Sequence, residues 1–266
     1  MNQTKNSSLD RRTFLKGGAL LASASALGWN GIFGLSRASA ADGDDIPTIL
    51  NIAATAETLA CTHYYQALKS EIRFTDPQIA YIRAALEEEY IHLQFLNDNG
   101  GKALTDKFYF PAGTLKSKIA FGTVSAIFET VFVGAYLAAT RRFAELGQPL
   151  LAATAAQVAV IEGQHLALVR ETALILPNNI ALGEPKFYNI SEAVPVVKPI
   201  LDGQEGALGP MDKTPLSYPG PDAIVKAIGK SALSPVKPFT DPSTFPSLSA
   251  TPSATESATA SATAAQ

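Results

Sequence analysis

The chain has 266 residues, of which 47% are hydrophobic and 17% are charged, with 21 Lys and Arg against 24 Asp and Glu. This composition is too apolar for an intrinsically disordered protein, and a formal net charge of −3 lacks the basic excess of a nucleic-acid-binding protein. A single cysteine excludes a disulfide framework and any cysteine-rich zinc or iron–sulfur site, and three histidines limit a histidine-based metal site to very few positions.

The first 40 residues have the pattern of an export signal. Residues 10–16 read Asp-Arg-Arg-Thr-Phe-Leu-Lys, an apolar run follows over 19–35, and Ala38-Ser39-Ala40 is a small-residue cleavage site. The pattern resembles a twin-arginine signal peptide, which predicts cleavage after Ala40, the twin-arginine translocase as a partner, and a location in the periplasm or outer cell envelope. An uncut N-terminal membrane anchor is the alternative. After cleavage we expect no stable transmembrane segment and no nucleic-acid partner.

Four long helices are predicted between residues 45 and 177. The first begins at Asp45 and Pro47, and the second begins at Thr75-Asp76-Pro77-Gln78, which is a capping box with proline in the first turn. The second helix is expected to end near Asn97, the third to run over 114–146, and the fourth to run from Pro149 to about Leu176.

Helices of this length joined by short or moderate loops predict an all-α fold, an antiparallel four-helix bundle over residues 41–176. Residues 177–233 are rich in proline and glycine, which predicts an irregular segment that wraps the bundle, with a short helix near 221–230. Residues 234–266 are rich in Ser, Thr, Ala and Pro, and this composition is typical of a disordered tail.

The bundle has an internal duplication. Glu57 precedes Tyr64 by seven residues in the first helix, and Glu129 precedes Tyr136 by seven in the third. The second and fourth helices each carry Glu-x-x-His, and these motifs begin at Glu89 and Glu162. The two helical hairpins therefore align with an offset of 72 or 73 residues.

The duplicated acidic residues lie on predominantly apolar helix faces. An ionised carboxylate in a bundle core costs several kcal/mol unless it is paired or binds a cation. Glutamate and histidine three residues apart project from the same side of a helix. One Glu from each of two helices, plus Glu-x-x-His from each of the other two, is the ligand set of di-iron and di-manganese carboxylate bundles. The candidate ligands are Glu57, Glu89, His92, Glu129, Glu162 and His165.

Other readings remain open at this stage. Glu88 could replace Glu89 as a ligand, although only Glu89 keeps the three-residue spacing to His92. Glu87-Glu88-Glu89 could instead be a solvated acidic turn, but that reading leaves the buried acids of the other helices unexplained.

Four neighbours of the predicted site require an interpretation. Tyr64 and Tyr136 lie two turns from a candidate ligand, so each could hydrogen-bond a ligand, serve as a redox-active phenol, or be a core tyrosine with one polar partner. Cys61 is one turn from Glu57 and is interpreted as a small buried hydrophobe, and His63 points away from the site.

At these residues the sequence resembles the ferritin-like superfamily, and especially its exported branch related to plant desiccation-related proteins. The segment 128–137, Phe-Glu-Thr-Val-Phe-Val-Gly-Ala-Tyr-Leu, and the Phe110-Pro111 loop are similar to that branch. The resemblance covers about half the chain and implies the same six metal ligands. It implies two divalent metal ions as cofactors, with iron first and manganese as the alternative; zinc also accepts such ligands.

Three functions are compatible with this site. The first is an oxidoreductase in which a di-metal centre reacts with dioxygen, peroxide or Fe(II), so that metal ions and small oxidants are its partners. The second is a non-catalytic structural or stress-protective envelope protein. The third, iron storage in a shell, is disfavoured because the C-terminal segment would obstruct close assembly. The complete ligand set favours the first, because apolar packing would stabilise a purely structural bundle more simply.

Overall fold

The computed structural model describes residues 43–241 and residue 243, so the predicted export signal and most of the predicted tail lie outside the described residues. The predicted all-α fold is confirmed. Four long helices form the bundle: α1 (Ile46–Lys69), α2 (Asp76–Asp98), α3 (Lys118–Glu145) and α4 (Pro149–Thr172). Two short helices follow, α5 (Val194–Asp202) and α6 (Pro221–Ile228).

Three of the four long helices begin where a side chain satisfies a free backbone N–H group; α4 begins at Pro149 without such a cap. The Asp45 carboxylate accepts a hydrogen bond from Thr48 N at 2.9 Å, and Thr75 and Gln78 form the predicted capping box. The α3 helix begins four residues later than predicted, because Thr114–Lys116 form a separate 3₁₀ turn and Ser117 then caps the α-helix.

The α4 helix ends before the predicted position near Leu176. Its last residue is Thr172, and Leu174 then adopts a left-handed conformation with φ of 59°. Ile175 N donates to Arg170 O at 2.9 Å, which completes a Schellman-type end. The α2 and α3 helices end in the same way, but with Gly100 and Gly147 at the left-handed position. Leu174 is the only non-glycine residue with positive φ in the described part of the chain.

The bundle core is formed by apolar faces of all four long helices. The α1 helix packs against α2 and α3, and α4 packs against α3 and α2. Buried side chains such as Leu59, Leu86, Phe128 and Val169 occupy this core, and burial of each large apolar side chain contributes about 1.5–3 kcal/mol. The α3 and α4 backbones approach closely at Gly122, where an added Cβ would lie 2.5 Å from Val169 O.

The C-terminal segment packs against the bundle and the α2–α3 connection. Strand β1 (Lys107–Phe108) of that connection pairs antiparallel with β2 (Leu216–Ser217) of the segment. The α5 helix was not predicted, because prolines at 195 and 199 obscured it; the first lies at the helix start, where proline is tolerated. At the start of the predicted tail, the Gln157 side chain on α4 hydrogen-bonds Lys237 O and Phe239 N.

Among the described residues, α3 is the one helix long and apolar enough to cross a membrane by length and composition. In the structure, 67% of its most apolar window is buried inside the bundle.

Candidate metal centre

The bundle brings the six predicted ligands together in its core. They form two overlapping groups in which one donor atom from each residue lies within 4.8 Å of all the others. Glu89 and Glu162 belong to both groups. The first group adds Glu57 and His92, and the second adds Glu129 and His165. Two cation positions that share two carboxylates are thus available.

Helix geometry explains this convergence. Each Glu-x-x-His pair spans three residues, so both side chains point from one face of α2 or α4 toward the bundle axis. The α1 and α3 helices each contribute one glutamate from the opposite side. Five of the six side chains are at most 2% exposed, and His92 is 11% exposed.

Most donor atoms of the cluster lack hydrogen-bond partners. In the described part of the chain, eight buried side-chain atoms of the cluster make no hydrogen bond. Each of the six residues contributes at least one of these atoms. His165 Nδ1 lies 3.0 Å from Glu89 Oε1 and 3.3 Å from Glu162 Oε2, but in neither case is the geometry that of a hydrogen bond. Buried polar atoms are normally satisfied, and leaving one unsatisfied costs about 1–3 kcal/mol. The residues therefore fit a bound cation, whose coordination would satisfy them together.

The electrostatics of the cluster lead to the same conclusion. Burial is the largest effect that raises the pKa values of Glu89, Glu129 and Glu162, and neighbouring carboxylates raise these pKa values further. Burial acts to lower the pKa values of His92 and His165, but nearby glutamates outweigh it and raise both well above 6.5. Without metal the cluster thus retains protons, and divalent cations would replace them.

The two candidate tyrosines hydrogen-bond carboxylates of the cluster. Tyr64 OH donates to Glu129 Oε1 at 2.5 Å, and Tyr136 OH donates to Glu57 Oε1. Each tyrosine therefore bonds a glutamate of the other hairpin, across the bundle between α1 and α3. Each bond leaves the second oxygen of that glutamate without a partner. The phenols orient the carboxylates toward the centre of the cluster.

Two residues next to the cluster were not predicted from the sequence. Glu88, which was considered only as a substitute for Glu89, lies outside the cluster, and its Oε2 is 2.8 Å from His165 Nε2. Tyr81 OH lies 3.2 Å from Tyr64 OH and 3.4 Å from His165 O. Helical spacing gives no signal for either role, because both contacts join different helices.

The two remaining candidates lie as the sequence indicated. Cys61 is fully buried, and burial is the main cause that raises the pKa of its thiol. The His63 ring is directed away from the cluster, where its Nε2 lies 2.7 Å from Ser125 Oγ and the ring stacks on Phe110 and Phe121. Burial lowers the pKa of His63 to about 3, so this imidazole is neutral near neutral pH.

Comparison with known protein families gives a match over the segment that contains the cluster. The sequence profile of the ferritin-like domain family matches residues 45–174, which contain α1 to α4 and all six cluster residues. No curated protein and no solved structure gives a significant match to the chain. In its four-helix bundle, its buried Glu and His cluster and its profile match, the segment 45–174 is similar to a ferritin-like domain.

Proposed function

We propose that the six-residue cluster binds two divalent cations, iron first and manganese as the alternative, and that the protein carries out redox chemistry with dioxygen, peroxide or Fe(II). One observation carries the proposal: eight buried donor atoms, supplied by four helices, converge without hydrogen-bond partners. The formal charge supports it, because four carboxylates balance two divalent cations while the two imidazoles are neutral. Oxygen-rich ligation with one nitrogen for each cation suits iron or manganese.

The side chains in and around the cluster would have separate roles. Glu89 and Glu162 would bridge the two positions, and Glu57 and Glu129 would each bind one cation. Tyr64 and Tyr136 would hold the latter pair in orientation and offer a proton at each phenol oxygen. Bound iron or manganese would supply the electron transfer to the oxidant. The apolar core around the cluster would exclude bulk water from that reaction.

The test is metal loading followed by exposure to an oxidant. Protein comprising residues 41–266 is freed of metal, loaded anaerobically with Fe(II) or Mn(II), and its bound metal is measured by mass spectrometry. We expect two equivalents of cation per chain, and for the Fe(II) form we expect consumption of dioxygen or peroxide with a change in the absorption spectrum. Failure to bind any cation would contradict the whole proposal. Two cations without reaction toward either oxidant would favour the structural or stress-protective alternative.

We propose, in addition, that the protein is exported through the twin-arginine translocase to the periplasm or outer envelope. The support is the sequence pattern of Arg11-Arg12, the apolar run and Ala38-Ser39-Ala40. This route transports folded proteins, so it would allow the metal to be bound before export. Replacing Arg11 and Arg12 by Lys should retain the precursor in the cytoplasm, as cell fractionation would show. Unchanged export of that variant would contradict the proposal.

A further inference from the structure

The two histidines of the cluster differ at the nitrogen that faces away from it. His165 Nε2 lies 2.8 Å from Glu88 Oε2, while its Nδ1 faces Glu89, Glu129 and Glu162. The Glu88 side chain is 25% exposed, so it lies at the solvent-facing edge of the buried cluster. The Glu88 carboxylate accepts the Nε2–H hydrogen bond, so the proton that a bound cation would displace from His165 is the one on Nδ1, which faces the cluster.

His92 has no equivalent partner. Glu89 aligns with Glu162 at an offset of 73 residues, so the position equivalent to Glu88 is Ile161, whose side chain cannot accept a hydrogen bond. No residue in the described part of the chain hydrogen-bonds His92 Nε2. The His92 ring instead borders a mainly apolar cavity of about 20 Å³, whose lining also includes Phe95. The two hairpins thus differ in the side chain that would hydrogen-bond the outer imidazole nitrogen, which is Glu88 for His165 and Ile161 for His92.

The two groups of ligands have the same composition. Both contain Glu89 and Glu162, and each adds one glutamate, which accepts a hydrogen bond from a tyrosine, and one histidine. Tyr81 is a second difference, but it contacts Tyr64 OH and the His165 carbonyl oxygen rather than an imidazole nitrogen. Of these two residues, only Glu88 hydrogen-bonds the imidazole ring of a candidate ligand.

We infer that Glu88 is a positioning residue for His165 and makes the two cation positions unequal, so that the His165 group binds its cation more tightly than the His92 group. A carboxylate on the outer nitrogen of a metal-binding histidine fixes its tautomer and orientation and increases its basicity. Loss of such a partner typically lowers metal affinity about 10–100-fold. The inference rests on the proposed function, because it presumes that the cluster binds two cations.

The experiment is a calorimetric titration of metal-free protein with Mn(II). We expect wild-type protein to bind two cations in separate steps. Glu88→Ala should weaken the tighter step about 10–100-fold and leave the weaker step within about twofold. Glu88→Gln retains an acceptor without the charge, so it should give an intermediate loss. Glu87→Gln removes a carboxylate one residue away that makes no described contact with His165, and it should change neither step.

Assignment of the steps requires one cation position at a time. In a Glu57→Gln background the His165 group remains complete, so Glu88→Ala should weaken the remaining step. In a Glu129→Gln background the His92 group remains complete, and Glu88→Ala should have no effect. If wild-type protein binds two cations but Glu88→Ala affects both backgrounds equally or neither, this inference alone is wrong. If wild-type protein binds no cation, the proposed function itself fails.

Discussion

The two helical hairpins of the bundle, α1–α2 and α3–α4, carry the same polar pattern but differ around it. Each supplies one glutamate, one Glu-x-x-His motif and one tyrosine that bonds the other hairpin. Glu88 of the first hairpin is replaced by Ile161 in the second, and Leu50 of the first by Gly122. The comparison shows that the ligand positions are shared, whereas the surrounding contacts determine how the two halves differ.

The largest effect is expected for a carboxylate that belongs to both ligand groups. Glu89 belongs to both ligand groups, so Glu89→Gln should abolish binding of both cations. Glu57 belongs to one group, so Glu57→Gln should retain about one cation per chain, at the His165 position. Metal analysis after anaerobic loading measures both, and Glu171→Gln, at an exposed position of α4, is the control. Equal loss in the two variants would contradict the division into shared and separate ligands.

A second test concerns the protons bound by the cluster residues of both hairpins when metal is absent. The native pKa values of three glutamates lie above 4.5 and those of two histidines lie above 6.5: Glu89, Glu129, Glu162, His92 and His165. The native state therefore binds more protons than the unfolded state at neutral pH. The contribution of the two histidines to the free energy of unfolding is fully present below pH 6.5. It is lost as pH rises through their raised pKa values.

We therefore expect the Tm of metal-free protein to fall as pH rises from about 7 to about 9. The free energy of unfolding should fall by about 1.4 kcal/mol per pH unit for each extra proton that the native state holds. Glu129→Gln should reduce this slope. Cation binding should oppose the slope, because it displaces protons and is favoured at high pH. His63 does not interfere, since its lowered pKa of about 3 places its opposite effect below pH 6.5. Calorimetry with and without chelator measures these slopes; a metal-free Tm that rises over this range would contradict the expectation.

A third test addresses the close approach found in the second hairpin. Gly122→Ala would place a Cβ 2.5 Å from Val169 O and should lower the free energy of unfolding by about 1–3 kcal/mol. Gly163→Ala is the matched control, because a Cβ at that position of α4 meets no atom within 4 Å. It should stabilise the protein by up to about 1 kcal/mol through helix propensity. Denaturant unfolding of the metal-free variants measures both changes in the free energy of unfolding. If both have the same sign, the close approach of the α3 and α4 backbones does not explain the effect of Gly122→Ala.

The smallest expected effect lies at the helix ends. The first hairpin's α2 ends with Gly100 at the left-handed position, but α4 ends with Leu174, which is 64% exposed. Leu174→Gly removes the steric cost of positive φ and little packing, so we expect a gain of about 0.5–1 kcal/mol in stability. Gly147→Ala introduces the same cost and should have the opposite effect. Thermal unfolding measures both, and a loss of stability in Leu174→Gly would show that its side chain contributes packing.

The sequence predicted features that depend on neighbours along the chain. The capping box at Thr75 and the spacing from Glu89 to His92 are local, and both fix where side chains point before any tertiary contact forms. The four bundle helices and the six cluster residues could be predicted for this reason, together with the cost of burying isolated carboxylates.

The remaining features depend on contacts between helices. Nothing in the local pattern shows that Tyr64 bonds Glu129 rather than a residue of its own helix. The contact of Glu88 with His165 likewise requires α2 and α4 to pack together. The α5 helix forms against the bundle with Ile200 fully buried, and its two prolines would weaken it in isolation.

The division of ligands between the hairpins has a consequence for assembly and ancestry. A cation next to His92 would take three donors from the first hairpin and Glu162 from the second. A cation next to His165 would take three donors from the second hairpin and Glu89 from the first. Neither hairpin alone completes a position. The arrangement resembles two copies of one hairpin, joined into a single polypeptide by the residues between Asp98 and Lys118. Each bound cation would thus act as a cross-link between two half-proteins.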